Sequence, residues 1–286
     1  MRVLITGANG LLGSEFVKYC SNSGFKIKTV SYNELCKEYT YLSFIFESFK
    51  PNIVLHCAAN TNVEWCETNE LDCFRDNVLI TEKLCNLSYS YNCKLVFFSS
   101  TGIYGNEDHS PYTEFKLPNP TTVHHRSKFM AEKKVQSLVP NHLILRVGWL
   151  FGGNPCSKKN FVINRINDFN HAAGDISANS EQYGCPTYVL DVVNVTFSLI
   201  KISASGLFNC VSLGFASRFD YVNEIGKVIK FRHNVKPVSS SSFSRVARVS
   251  NNEMAINEKL NSYGIKLDVT WQVRLREYIE SVYNKK

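Results

Sequence analysis

The residues with the most legible chemistry stand near the start of the chain, where Gly7-Ala8-Asn9-Gly10-Leu11-Leu12-Gly13 follows the apolar run Val3-Leu4-Ile5. The spacing G-x-x-G-x-x-G between a strand and a helix turns the chain tightly and brings backbone N–H groups against a pyrophosphate. It also lets the helix pack close to the sheet with its positive end toward the anion. Three glycines alone are a weak signal. With a strand before and a helix after them they read as a dinucleotide loop, in which Gly7, Asn9, Gly10, Leu11, Leu12 and Gly13 face the cofactor. A carboxylate at the end of the second strand would bind the ribose hydroxyls of NAD and repel the extra phosphate of NADP. Ser31-Tyr32-Asn33 supply none there and Lys28 and Lys37 flank the segment, so Ser31 is expected at the ribose and NADP(H) is favoured. Glu34 is close enough in sequence to keep NAD(H) open.

Such a loop needs a sheet to carry it. Short apolar runs alternate with longer segments of helical period through the first half of the chain, the rhythm of β-α units around a parallel sheet. Strands are expected at Val3-Leu4-Ile5, Ile27 to Val30, Ile53-Val54-Leu55, Leu95 to Phe98 and Leu143-Ile144-Leu145. Helices are expected from Leu11 to about Cys20, over a segment ending Phe44 to Phe49 that Pro51 terminates, from Leu71 to Leu87, and from about Thr121 to Val139. Beyond Gly152 the alternation is less regular. The run Ser239 to Ser242, with Arg245 and Arg248 after it, reads as a loop, and Trp271 to Tyr283 as a closing helix. The fold expected is α/β, a Rossmann-type doubly wound parallel sheet over residues 1–150 plus about 188–203. A smaller, mixed α/β substrate region is assigned 151–187 and 204–286.

Composition narrows the classes. The hydrophobic fraction of 44% and charged fraction of 20% are those of a soluble globular chain, not of a disordered, collagenous or membrane-spanning one. Lys and Arg number 32 against 25 Asp and Glu, a net charge of +7. The basic residues are scattered without a long run, so an anionic small molecule suits the charge better than nucleic acid. The ten cysteines form no C-x-x-C pair, which argues for reduced structural thiols and against a metal site. With no charged leader and apolar stretch at the start, the expected setting is cytoplasmic, with no membrane partner.

Several motifs in order carry a resemblance. After the glycine turn come His56-Cys57-Ala58-Ala59, Asn77 in the following helix and Ser99-Ser100 closing the next strand, which together resemble the extended short-chain dehydrogenase/reductase superfamily. Arg146-Val147-Gly148-Trp149-Leu150-Phe151-Gly152, Asn160-Phe161-Val162, Gln182-Tyr183-Gly184-Cys185-Pro186-Thr187, and Ala247-Arg248 with Asn252 before Glu258-Lys259-Leu260 resemble its dTDP-4-dehydrorhamnose reductase branch. The likeness spans nearly the whole chain. It adds Cys57, Ala58, Ala59, Asn77 and Lys128 to the expected cofactor contacts.

The resemblance also implies a catalytic set of a Ser or Thr, a Tyr, and a Lys four positions after the Tyr. Ser100, with Ser99 and Thr101 beside it, falls at the hydroxyl position and Lys128 at the lysine position. His124, followed by His125, stands where the Tyr is expected. One helical turn separates 124 from 128, so the imidazole points where the phenol would. Its protonated form is disfavoured beside a lysine cation, and Tyr104, Tyr112 and Tyr188 are substitutes to consider. For the substrate, a nucleotide-linked sugar, the likeness implies Trp149, Asn160, Gln182, Thr187 and Arg248, the last as a planar guanidinium for a diphosphate. Glu64 follows the Ala-Ala turn where the family approaches the sugar. Two readings follow. One is a reductase of a nucleotide-linked 4-keto-6-deoxyhexose, serving deoxysugar or polysaccharide biosynthesis. The other is a catalytically impaired relative that keeps its pockets as a regulatory or structural subunit. A monomer or homodimer is expected.

Overall fold

The computed structural model describes residues 1–283. Five parallel strands are β1 (Arg2–Thr6), β2 (Lys26–Val30), β3 (Ile53–His56), β4 (Lys94–Ser100) and β5 (His142–Val147), all but the largely exposed edge strand β2 following apolar runs of the sequence. Four short strands come next: β6 (Trp149–Phe151), β7 (Ile176–Asn179), β8 (Tyr183–Gly184) and β9 (Pro186–Tyr188). They lead to β10 (Gly206–Cys210), β11 (Ala216–Ser217) and β12 (Val235–Val238). The central sheet has the order β10-β5-β4-β3-β1-β2, and every pairing in it is parallel. The direction of winding reverses between β1 and β3. In open α/β sheets that switch point, at the carboxyl ends of the strands, is where a crevice opens.

The helices of the first half are α1 (Leu11–Asn22), α2 (Tyr32–Leu35), α3 (Tyr39–Phe49), α4 (Val63–Thr68), α5 (Glu70–Phe74), α6 (Ile80–Ser90) and α7 (Val123–Leu138). The second half adds α8 (Phe161–His171), α9 (Val189–Lys201), α10 (Arg218–Val228), α11 (Glu258–Ser262) and α12 (Trp271–Tyr283). One face of the sheet is covered by α1, α9 and α11, where Val3 and Ile5 meet Leu12, Phe16, Val192 and Leu260. The other is covered by α3, α6 and α7, where Leu4 meets Phe46, Leu84 and Val135. Alternate residues of one strand thus enter two cores, which is why these strands read as continuous apolar runs. A third core joins α8, α10 and α12 around Ile166, Tyr221, Ile225 and Trp271.

Two expectations need correction. The boundary placed at residue 204 falls ahead of β10, which pairs with β5 along the edge of the central sheet; Phe208, Cys210 and Leu260 are buried in the same core as α1. Residues 206–210 therefore belong to the nucleotide-type sheet, and the chain re-enters it after an excursion that local periodicity cannot reveal. The expected single helix from Leu71 to Leu87 is instead α5 and α6 joined by a π-helical turn, Arg75–Leu79. The extra residue in that turn aims Asn77 at the loop after β3 without interrupting the apolar rhythm. Among the described residues no helix is long and apolar enough to cross a membrane. All ten cysteines are free thiols.

Candidate active site

The glycine loop leaves β1 at the switch point. Gly7 has φ +66°, a Cβ there would stand 2.7 Å from the Ala58 nitrogen, and one on Gly13 would stand 2.1 Å from the Gly7 carbonyl oxygen. Only glycine permits this closeness, which turns the loop's amides and the start of α1 toward a cavity of about 930 Å³. Gly7, Asn9, Gly10, Leu11, Leu12, Gly13, Ser31, Cys57, Ala58, Ala59 and Lys128 all line it. The cradle fits a pyrophosphate, since the close approaches that Gly7 and Gly13 allow bring the loop and the start of α1 to the cavity wall. Asn77 does not line the cavity. It is 2% exposed and holds the loop after β3, accepting from the Asn60 amide at 2.8 Å and donating to the Asn60 carbonyl at 3.0 Å and to Ser127 Oγ at 2.9 Å. Below Ala58, Thr6 Oγ1 takes the Ala58 amide and meets His56 Nδ1 at 2.7 Å; burial pushes that imidazole down to about 3, so it is neutral.

At the end of β2 the cavity wall carries Ser31, Tyr32, Glu34, Arg75 and Asp76. Glu34 Oε2 accepts from the Ser31 amide and hydroxyl, both at 2.7 Å, in a capping box that opens α2. These bonds hold its carboxyl below the usual range, so a fixed negative charge stands at the ribose end. Lys28 and Lys37 are not in the wall; the Lys37 ammonium lies 4.0 Å over the Tyr41 ring. Arg75 reaches the cavity already paired with Asp72 at 2.6 Å and Asp76 at 3.2 Å.

The far end of the cavity is formed by β4 and α7. Thr122 caps α7 by accepting the His125 amide at 3.1 Å and pairs with His125 Nδ1 at 3.0 Å. The His125 ring is pressed on the backbone of Gly102, where a Cβ would lie 2.2 Å away. With His125 fixed behind it, His124 turns into the site. It is 6% exposed, its Nδ1 is buried without a hydrogen-bond partner, and burial with His125 and Lys128 drives its pKa well below 6.5. Lys128 stands one turn on, its ammonium 4.0 Å over the Phe97 ring and pushed by burial down to about 8. Ser100 Oγ accepts the Gly102 amide at 3.1 Å, which leaves its proton free to point outward.

Thr61, Ser100 and His124 line this cavity and also a second one of about 610 Å³, so a group in either space meets the same wall. No phenol stands there. Tyr104 is buried with its hydroxyl on Asn209 Oδ1 at 2.7 Å and Arg146, Tyr112 is buried against it, and Tyr188 stacks on Phe151; none lines either cavity.

Of the residues expected at the substrate, the second cavity takes in one. Trp149 lines it, but Asn160, Gln182, Thr187 and Arg248 do not. Asn160 is fully buried and caps α8, with Nδ2 donating to the Gly152 and Asn154 carbonyls and to Tyr278. Thr187 Oγ1 is turned onto the Cys185 carbonyl at 2.9 Å, Gln182 is buried with its carbonyl on the Arg218 amide, and Arg248 is exposed elsewhere. These motif residues build the frame instead. β6 pairs with β9, β8 pairs with β11, and Gly184 lets the indole in where a Cβ would stand 2.4 Å from it. The residues brought beside Trp149 are Arg218 and Glu253, neither of which any local spacing signals. Glu64 also lines this cavity; its Oε2 accepts the Val246 and Ala247 amides and ties that segment to the cavity wall.

Comparison with known proteins follows the same lines. The family model of the RmlD substrate binding domain matches residues 1–284. The dTDP-4-dehydrorhamnose reductase of Aggregatibacter actinomycetemcomitans is 28% identical over 204 residues, 70% of this chain and 67% of that protein. The crystal structure of a Clostridium acetobutylicum dTDP-4-dehydrorhamnose reductase superposes with a TM-score of 0.93 at 29% identity, covering 99% of this chain and 100% of that one. That of Bacillus anthracis dTDP-4-dehydrorhamnose reductase, in complex with NADP, gives 0.92 at 27% identity over 98% and 99%.

Proposed function

The chain belongs to the RmlD substrate binding domain family, and from that membership we propose that it is an NADP(H)-linked reductase of a nucleotide-bound 4-keto-6-deoxyhexose. One observation carries the reading: Ser100 and His124 form the wall shared by the dinucleotide-type cavity and the cavity that holds Trp149. The two spaces adjoin where Thr61, Ser100 and His124 line both, so a keto carbon held in one can lie in direct contact with a hydride donor held in the other. The NADP complex of the Bacillus anthracis relative supports the cofactor, while Glu34 leaves NAD(H) as a second one.

When bound, a reduced nicotinamide supplies hydride to the carbonyl carbon. The glycine loop and the start of α1 would hold its pyrophosphate, Ser31 and Glu34 would meet the adenosine ribose, and Lys128 would meet the other ribose. Ser100 Oγ donates a hydrogen bond to the carbonyl oxygen. His124 transfers a proton to the same oxygen from an imidazole nitrogen, so the carbonyl becomes a hydroxyl that stays on the sugar carbon. Because His124 is mostly neutral at pH 7, only its small protonated fraction is competent, and turnover is slower than a phenol at that position would give.

The test is to follow loss of reduced-nicotinamide absorbance with NADPH and dTDP- or UDP-linked 4-keto sugars. Turnover that survives in wild type and vanishes in both His124→Ala and Lys128→Ala is the expected result. A chain that binds the dinucleotide yet reduces no keto sugar faster than buffer would instead be a regulatory or structural subunit. Activity unchanged in His124→Ala would remove His124 from the chemistry.

A further inference from the structure

Among the described residues, five arginines, at 75, 126, 146, 165 and 274, hold a carboxylate within 4 Å. Arg218 holds none, although it lies half-buried in the wall of the second cavity. Its guanidinium is flat on the Trp149 indole, 3.4 Å from the ring centroid, and no side chain of the described residues accepts its N–H groups. Burial pushes it down to about 10, with Glu253 raising it and Arg245 lowering it, so Arg245 is close enough to repel it. The two carboxylates in the same wall are largely engaged. Glu64 takes two backbone amides, and Glu253 Oε2 takes the indole Nε1 at 2.7 Å. A guanidinium withdrawn from water without an ion pair is unfavourable unless an anion completes it, and a second cation beside it doubles the demand.

We propose that Arg218, fixed on Trp149 and joined by Arg245, is the diphosphate-binding residue of the nucleotide-sugar site, in place of Arg248. A planar guanidinium held at one face still presents its edge N–H groups, which suit two oxygens of a diphosphate at once. The position follows from the fold: Arg218 opens α10 directly after β11, whose pairing with β8 sets it against the indole that Gly184 admits. Glu253 is held there because its amide donates to the Tyr183 carbonyl at 2.8 Å. This inference rests on reading the second cavity as the nucleotide-sugar site, but it concerns binding and not turnover.

Calorimetry with dTDP, UDP and thymidine on wild type, Arg218→Gln, Arg218→Lys and Arg248→Gln separates the two. Loss of a buried charge contact predicts dTDP binding weakened about 30-fold or more in Arg218→Gln, with thymidine and NADPH affinities unchanged. Arg218→Lys keeps the charge without the fork and is expected to bind dTDP about fivefold more weakly. Arg248→Gln is expected to match wild type. Wild-type dTDP affinity in whichever Arg218 variant remains folded overturns the proposal, as does an equal loss for thymidine or an Arg248→Gln effect as large. Failure of wild type to bind either diphosphate overturns it too. A protein that binds dTDP through Arg218 yet reduces no keto sugar would leave this inference standing and remove the proposed activity.

Discussion

Lys128 buries an ammonium at a cost to stability, and replacing it by methionine measures that cost directly. The side chain is 5% exposed, has no carboxylate within 4 Å among the described residues, and holds its ammonium 4.0 Å over the Phe97 ring. Burial takes its pKa from 10.5 to about 8, and at about 1.4 kcal/mol for each factor of ten that difference is about 3 kcal/mol. Methionine keeps the unbranched apolar stem and drops the ammonium. The folded pKa lies below the unfolded one, so between pH 8 and 10.5 the unfolded chain binds more protons and wild-type stability rises with pH. Below pH 8 the full penalty applies. Lys128→Met is therefore expected to melt higher than wild type at pH 7, by about 5 °C, given roughly 2 cal/mol/K of unfolding entropy for each of 286 residues. The gap should narrow steadily from pH 8 to pH 10, while keto-sugar reduction is lost at every pH. The measurement is thermal unfolding without cofactor at matched ionic strength. A methionine variant that melts at or below wild type at pH 7, or a gap that ignores pH, would refute the reasoning.

Three further outcomes are expected. Because burial, His125 and Lys128 hold the His124 pKa well below 6.5, the competent imidazolium falls about tenfold per pH unit above that value; turnover should drop by that factor from pH 6.5 to 7.5, and His124→Tyr should raise turnover at pH 7.5 at least tenfold and flatten the profile. Glu34→Gln removes the charge fixed on Ser31 and should shift the NADPH to NADH ratio of kcat/KM toward NADPH by about tenfold, whereas an unchanged ratio would place the discriminating group elsewhere. Glu132 accepts two bonds from Arg146, at 3.0 and 2.8 Å, beneath the site; Glu132→Gln leaves that arginine without its counter-charge and should destabilise the protein by about 3 to 5 kcal/mol in denaturant unfolding, without changing cofactor preference.

Legibility in the sequence followed the range of the interaction. The glycine loop was readable because Gly7, Gly10 and Gly13 stand within seven positions of one another, and strands β1, β3, β4 and β5 because burial on both faces writes an apolar run in each. Thr122 ahead of α7 and the i, i+4 placement of His124 and Lys128 are equally local. Asn77 was placed in the right segment but given the wrong task, since a π-helical turn redirects it from the cofactor to Asn60. Asn160, Gln182 and Thr187 were chosen from motif likeness, which does not distinguish a residue that touches a ligand from one that caps a helix or seats a strand.

What the sequence by itself determined is the chain of β-α units, the dinucleotide loop and the imidazole one turn ahead of the lysine. Each depends on neighbours along the chain. Only the tertiary structure decided that β10 returns to the edge of the central sheet, that Glu34 folds back onto Ser31, and that Trp149, Arg218 and Glu253 meet across Gly184. Those three residues come from a strand, the start of a helix and a loop far apart along the chain, and the hydrogen-bond ladders that pair β6 with β9 and β8 with β11 leave no periodic trace in the residues they bring together.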